Sequence, residues 1–235
     1  LSKKYIYVIV TYVVMQFSSL LALPFLPFIE DRHAFSVGWS VSTFALALLV
    51  CIYLLRDEVK DFFQMRNKKI GSIVLWSVLG FIMVMVAQYV AVFIEMLVLR
   101  IPPGSENTMN LMGIARQSPI FIIIIALIGP ILEELVFRKA IFGTLYKKMN
   151  FFFAALLSGV IFAAVHMDFD HLLIYTAVGM VLAFLYVETK RIIVPIIAHM
   201  SMNSVAVIAQ LSIDPEQIEE QMKQINDLMF ILIGG

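Results

Sequence analysis

Residues 119 to 146 read PIFIIIIALIGPILEELVFRKAIFGTLY. The stretch is longer than the about 20 residues a helix needs to cross hydrocarbon. It nevertheless holds two adjacent carboxylates, Glu133 and Glu134, and an arginine, Arg138. Reading it as a membrane-crossing helix decides the class of the fold. The composition agrees, since 61% of the 235 residues are apolar, 14% are charged and the mean hydropathy is +0.94. A soluble domain of this length needs far more polar surface. The expected fold is therefore all-α, a polytopic transmembrane helical bundle, with residues 1–235 forming a single membrane domain.

Working outward by length, seven spans are expected: Tyr5–Phe28, Trp39–Leu55, Ile70–Leu99, Pro119–Tyr146, Phe151–His166, Leu172–Val187 and Ile192–Leu211. An eighth, or a re-entrant piece, would change the far end. The first has Lys3 and Lys4 in front of it, but its apolar run is too long for a signal peptide and has no clear cleavage site, so it reads as an uncleaved anchor. If the N-terminus is cytoplasmic, that side collects Lys3, Lys4, Arg56, Lys60, Arg66, Lys68, Lys69, Lys139, Lys147, Lys148, Lys190 and Arg191. The other side holds Arg32, Arg100, Arg116 and Lys223. The imbalance favours N-in. RDEVKDFFQMRNKK, from Arg56 to Lys69, reads as a basic interfacial helix. IPPGSENTMN, from Ile101, reads as a turn-rich outer loop. Residues 212–235, with an Asp214 cap and Pro215 behind it, read as a C-terminal surface or interfacial helix. Cys51 stands alone within a span, which rules out an intrachain disulfide and reads as packing.

An ionisable group in hydrocarbon costs on the order of 2.5 to 3.5 kcal/mol on insertion scales, so each one inside a span needs a partner or a task. Glu134 and Arg138 are four residues apart on one face, acid first, the favoured order for an ion pair. Glu133 is rotated from Glu134 by about 100° on an α-helix and has no local partner. Four histidines are available to answer it. His33 and His171 sit in loops and read as solvated, whereas His166 ends LLSGVIFAAVH and His199 shares a face with Asn203 in PIIAHMSMNS. For an antiparallel hairpin turning at Met149 and Asn150, Glu133 and His166 stand equally far from the turn, roughly 25 Å at 1.5 Å per residue, and should meet. The same count for the last hairpin fits less well. Gln88 and Glu95 read as interfacial or interhelical hydrogen-bonding groups, and Phe162 as core. Small residues, among them Gly159, Gly179 and Ala198, let these helices come close and enclose a polar cluster.

A carboxylate beside an imidazole can hold a water and remove its proton, and a second imidazole with an amide can donate to a developing oxyanion. Glu133, His166, His199 and Asn203 thus suit peptide hydrolysis without a serine or cysteine nucleophile. Two histidines and a glutamate also make a zinc ligand set, although HExxH is absent. Buried Glu and His also build proton paths, so a transporter is a second reading and an idle membrane scaffold a third. No paired inverted halves support transport.

EELVFR at Glu133–Arg138, FAAVH at Phe162–His166 and HMSMN at His199–Asn203 resemble, in order, the motifs EExxxR, FxxxH and HxxxN/D of the CPBP family. These are the CAAX prenyl endoproteases and bacteriocin-processing enzymes, also called Abi proteins. The resemblance runs from Gly129 to Ser204, roughly a third of the chain. It implies an intramembrane endopeptidase whose catalytic core helices lie within residues 119–211. Glu133 and His166 would activate water, His199 and Asn203 would form the oxyanion site, and Glu134 and Arg138 would support them. It further implies a glutamate mechanism without a metal or other cofactor, and a bacterial plasma-membrane location. The implied partners are a membrane-associated, prenylated or leader peptide and the lipid bilayer, with no nucleic acid.

Overall fold

The computed structural model describes residues 2–58, 70–213 and 223–224. The basic helix expected over 56–69 and the helix expected over 212–235 lie almost wholly outside them. Among the described residues the elements are helices and turns, with no strand. In chain order they are α1 (Lys3–Phe17), α2 (Ser19–Phe28), α3 (Arg32–Leu54), α4 (Ile70–Leu99), α5 (Glu106–Gln117), α6 (Pro119–Leu145), α7 (Phe151–Val165), α8 (Leu172–Thr189) and α9 (Ile193–Ser212). Leu, Ile, Val and Phe side chains exposed along α4, such as Leu75, Ile82, Val86 and Phe93, form the outer face that an integral membrane protein turns to lipid.

Seven spans were expected. Five helices, α3, α4, α6, α8 and α9, are long and apolar enough to cross a membrane, and α1 with α2 makes a sixth only as a pair bent by 41°. The bend has a local cause. Pro24 and Pro27 tighten Leu23–Phe28 into a 3-10 turn. Ser18, at the joint, donates its hydroxyl to the Met15 carbonyl and accepts the Trp39 indole N–H. The expected fifth span, α7, has only 15 residues, about 22 Å at 1.5 Å per residue against a hydrocarbon core of about 30 Å. His166 at its end therefore stands within the bundle rather than at its rim. α3 begins at Arg32, ahead of the expected Trp39, because the Asp31 carboxylate caps it through the Ala34 N–H at 2.9 Å. The expected outer loop contains a helix, α5, capped by Ser105, whose hydroxyl oxygen accepts the Thr108 N–H at 3.1 Å.

α6 is the central helix: 56% of its apolar window is buried, against 17% for α3 and α4. It is not a regular α-helix. Pro130 has no N–H, and its ring would crowd the carbonyl four residues back. The preceding turn, Ile124–Ile128, widens to π spacing, with the Gly129 N–H bonded to the Ile124 carbonyl. A Cβ at Gly129 would lie 2.9 Å from that carbonyl oxygen, so the widened turn needs glycine there. A second π stretch covers Glu134–Phe142. Its Phe137 carbonyl accepts the Ser158 hydroxyl from α7 at 3.0 Å. At the basic end of the bundle Glu58 pairs with Lys4 and with Lys139, at 2.6 Å for the latter, tying α1 and the chain after α3 to α6.

α7 and α8 touch through glycine. A Cβ on Gly179 would come within 3.0 Å of the Gly159 Cα, and one on Gly159 within 3.0 Å of the Thr176 carbonyl oxygen. That approach lets Phe162 and Arg138 pack beside Gly179.

His171, expected to be solvated in an acidic loop, is only 5% exposed. Its Nδ1 lies 2.7 Å from Glu95 Oε2 and its Nε2 3.0 Å from the Gly104 carbonyl oxygen. Both ring nitrogens face acceptors, so only the imidazolium satisfies both. Glu95, 1% exposed, also accepts the Ile174 N–H at 3.3 Å. The interhelical role expected of Glu95 is thus met by the histidine that the flanking Asp168 and Asp170 made look solvated. Burial works against the charge on His171, but the bonds to Glu95 and Gly104, with the nearby Asp168, outweigh it and raise its pKa.

Gly179→Val should wedge α7 from α8 and destabilise the protein by about 1–3 kcal/mol, seen as a lower unfolding midpoint in detergent. Gly113→Ala, where a Cβ meets open space, should leave the midpoint unchanged or raise it. The raised pKa of His171 gives a pH dependence. Its stabilisation is complete below the ordinary value of 6.5 and fades as pH climbs through the folded value. Melting temperature should therefore fall as pH rises above about 6.5, and His171→Gln should flatten that slope.

Candidate active site

The polar residues of the central helices meet at one cavity of about 250 Å³. Glu133 of α6, His166 at the end of α7, and His199 and Asn203 of α9 all line it. α5 roofs it with Asn107 and Thr108, and Gln16 of α1 and Gln88 of α4 complete its polar wall. The rest of the wall is largely apolar, including Phe44, Leu111 and Val178.

His199 is held between the two carboxylates. Its Nδ1 lies 2.8 Å from Glu134 Oε1 and its Nε2 3.6 Å from Glu133 Oε2. The two acids are adjacent on α6, where the second π stretch begins, and each is long enough to reach the ring from its own side. Glu134 is fully buried and Arg138 is 1% exposed. Their expected ion pair is present, with Nη1 and Oε1 3.2 Å apart. The Arg138 guanidinium also lies over the Phe162 ring, 4.5 Å from its centroid. Glu134 therefore does more than neutralise its own arginine, because the same oxygen orients His199.

Asn203 donates its amide N–H to the Ile125 carbonyl at 3.0 Å. That carbonyl belongs to the first widened turn of α6. One amide hydrogen is thereby engaged, and the second is left for the cavity.

His166 differs from expectation. No direct hydrogen bond or ion pair joins it to Glu133; the two are separate walls of the same cavity, as their level placement allows. Its Nδ1 donates to the Phe162 carbonyl at 2.8 Å, so Nε2 is the nitrogen left for chemistry. The imidazole that Glu133 approaches is instead that of His199, at 3.6 Å. The hairpin count gave depth but not the direction in which each side chain turns. Phe162, expected to be core, is 2% exposed, with its ring edge-on to both His166 and His199. Tyr175, which the sequence reading passed over, stacks on His166. Its position nine residues past the motif histidine carried no pattern that could have singled it out.

Zinc was the alternative use for these ligands. Among the described residues no three His, Cys, Asp or Glu side chains group as a metal site would require. Nδ1 of His166 and Nδ1 of His199 are bonded to protein acceptors, which leaves Nε2 of each ring facing the cavity.

Comparison with known proteins adds the following. The model of a family described as type II CAAX prenyl endopeptidase, Rce1-like, matches residues 115–205. YdiL, a putative membrane peptidase of Bacillus subtilis (strain 168), is 43% identical, the match covering 99% of this chain and 98% of that protein. MroQ, a membrane-embedded CAAX protease of Staphylococcus aureus (strain USA300), is 34% identical over 96% of each chain. No solved structure matches the chain.

Removing one member of the buried charge pair should be severe. Arg138→Ala strands the Glu134 carboxylate and should lower stability by about 3–5 kcal/mol, measured by denaturant titration in detergent. The double variant Glu134→Gln with Arg138→Met, which removes both charges, should recover much of that loss.

Proposed function

Because the chain belongs to the Rce1-like CAAX prenyl endopeptidase family of membrane proteases, we propose that it is an intramembrane endopeptidase in which Glu133 and His166 activate water. The observation that carries this reading is the single cavity onto which Glu133, His166, His199 and Asn203 all open from three helices.

In the proposed reaction the Glu133 carboxylate takes a proton from a water held with His166 Nε2, and the hydroxide attacks the scissile carbonyl carbon. The negative charge that develops on the carbonyl oxygen accepts hydrogen bonds from Asn203 Nδ2 and from His199 Nε2–H. In that role His199 carries both ring protons, with its Nδ1–H bonded to the Glu134 carboxylate. With His199 charged, Glu133, Glu134, Arg138 and His199 sum to zero, which suits a site enclosed by helices. Glu133 then returns its proton to the departing amide nitrogen, which completes the hydrolysis without a metal.

The largely apolar wall suits an extended, hydrophobic peptide segment. A CAAX motif is what the name of the staphylococcal relative indicates for that protein, and a prenylated or leader peptide is the substrate class proposed here. Lys139, paired with Glu58, sits near the C-terminal end of α6, whereas α5, which lines the cavity, adjoins the N-terminal end. With the Lys139 end in the cytosol, as the charge asymmetry favours, the substrate reaches the cavity from the outer half of a bacterial plasma membrane. The protease relatives favour hydrolysis over the transporter and scaffold readings.

Purified protein in detergent should cleave members of an internally quenched apolar peptide library. Glu133→Gln and His166→Ala should each reduce the rate by about 10²-fold or more, and His199→Ala by about 10²–10³-fold. Chelators should leave the rate intact. Cleavage that survives Glu133→Gln, or that is lost on chelation and restored by zinc, would reject the glutamate mechanism.

A further inference from the structure

We infer that Tyr175 is a positioning residue for His166, its stacked ring fixing the plane of the imidazole. The inference rests on the proposed role of His166.

His166 is poorly placed to hold itself still. It is the C-cap of α7, and the chain turns immediately after it through Met167, whose φ of 54° is left-handed. Only one ring nitrogen is bonded to protein, Nδ1 to the Phe162 carbonyl, and a single bond leaves the ring free to tilt about it. Two aromatic contacts restrict that tilt. Phe162 meets the imidazole edge-on, with centroids 4.6 Å apart and planes at 66°. Tyr175 lies nearly parallel to it, 4.2 Å away at 28°. A stacked face opposes tilting, whereas an edge contact tolerates it.

Tyr175 is itself held. It sits in the first turn of α8, where the Ile174 N–H is bonded to the buried Glu95. Its hydroxyl is 3.1 Å from Ser105 Oγ, and that same oxygen caps α5 through the Thr108 N–H. The residue thus joins the imidazole to the helix that covers the cavity. The hydroxyl meets Ser105 Oγ rather than His166, so the contact to the imidazole is made by the ring face, and removing the hydroxyl separates positioning from acid or base chemistry.

The test is steady-state cleavage of the internally quenched apolar peptide library by full-length protein in detergent, with kcat expressed per folded, monodisperse enzyme. Tyr175→Leu should lower kcat about 10- to 100-fold while KM moves less than about threefold, because a misplaced group loses rate rather than ground-state binding. Tyr175→Phe keeps the stacking face and should stay within about threefold of the parent enzyme, as should Ser105→Ala. If Tyr175→Leu does not fold, Tyr175→Met, of similar reach but without a stacking face, replaces it with the same expectation. A Leu or Met variant within twofold of the parent kcat overturns the inference. So do equal losses in Phe and Leu variants, or a rise in KM at constant kcat. Full activity of His166→Ala would instead defeat the underlying reading of the site, a result distinct from each of these.

Discussion

Everything in the centre of this protein depends on the Glu134 carboxylate, buried completely and shared between Arg138 and His199. An isolated charge at that depth would be expelled or neutralised. Here the guanidinium answers it from one turn further along the same helix, and Phe162 covers the guanidinium with its ring face. The imidazole is fixed by the remaining reach of the same oxygen. One acid therefore sets the position of α9 relative to α6, and with it the distance between His199 and Glu133.

Widened turns flank these acids along α6. Glycine and proline at 129 and 130 interrupt the regular ladder, and the chain relaxes into π spacing on both sides of them. One consequence is visible in the cavity: a backbone carbonyl at Ile125, in the first widened turn, holds Asn203. π turns concentrate at functional sites because they place side chains where a regular helix cannot.

A second buried pair, Glu95 with His171, organises the roof. Through Gly104 and Ile174 it fixes the chain before α5 and the start of α8 to the end of α4. Ser105 and Tyr175 continue from there to His166. The roof and one wall of the cavity are thus a single hydrogen-bonded and stacked unit. Its stability is tied to a protonated histidine, whereas the opposite wall depends on an arginine that stays charged throughout the physiological range.

The sequence by itself determined the membrane-embedded all-helical class, because 61% apolar residues in long runs leave few other ways to satisfy the backbone in lipid. It also determined the Glu134–Arg138 pair, which depends only on helical spacing, and drew attention to Glu133, His166, His199 and Asn203 through their presence within apolar segments. Span number was less legible, since apolar length does not reveal that Pro24 and Pro27 bend the first span or that α7 stops short at His166. α5 was hidden inside a loop rich in turn formers, and the burial of His171 was masked by its acidic neighbours. Which imidazole faces which carboxylate came from the packing of α9 against α6, because spacing along one helix does not encode how a second is rotated against it. Only the tertiary structure brought Tyr175 against His166, since the stack joins residues on different helices, and no spacing along the chain encodes such a contact.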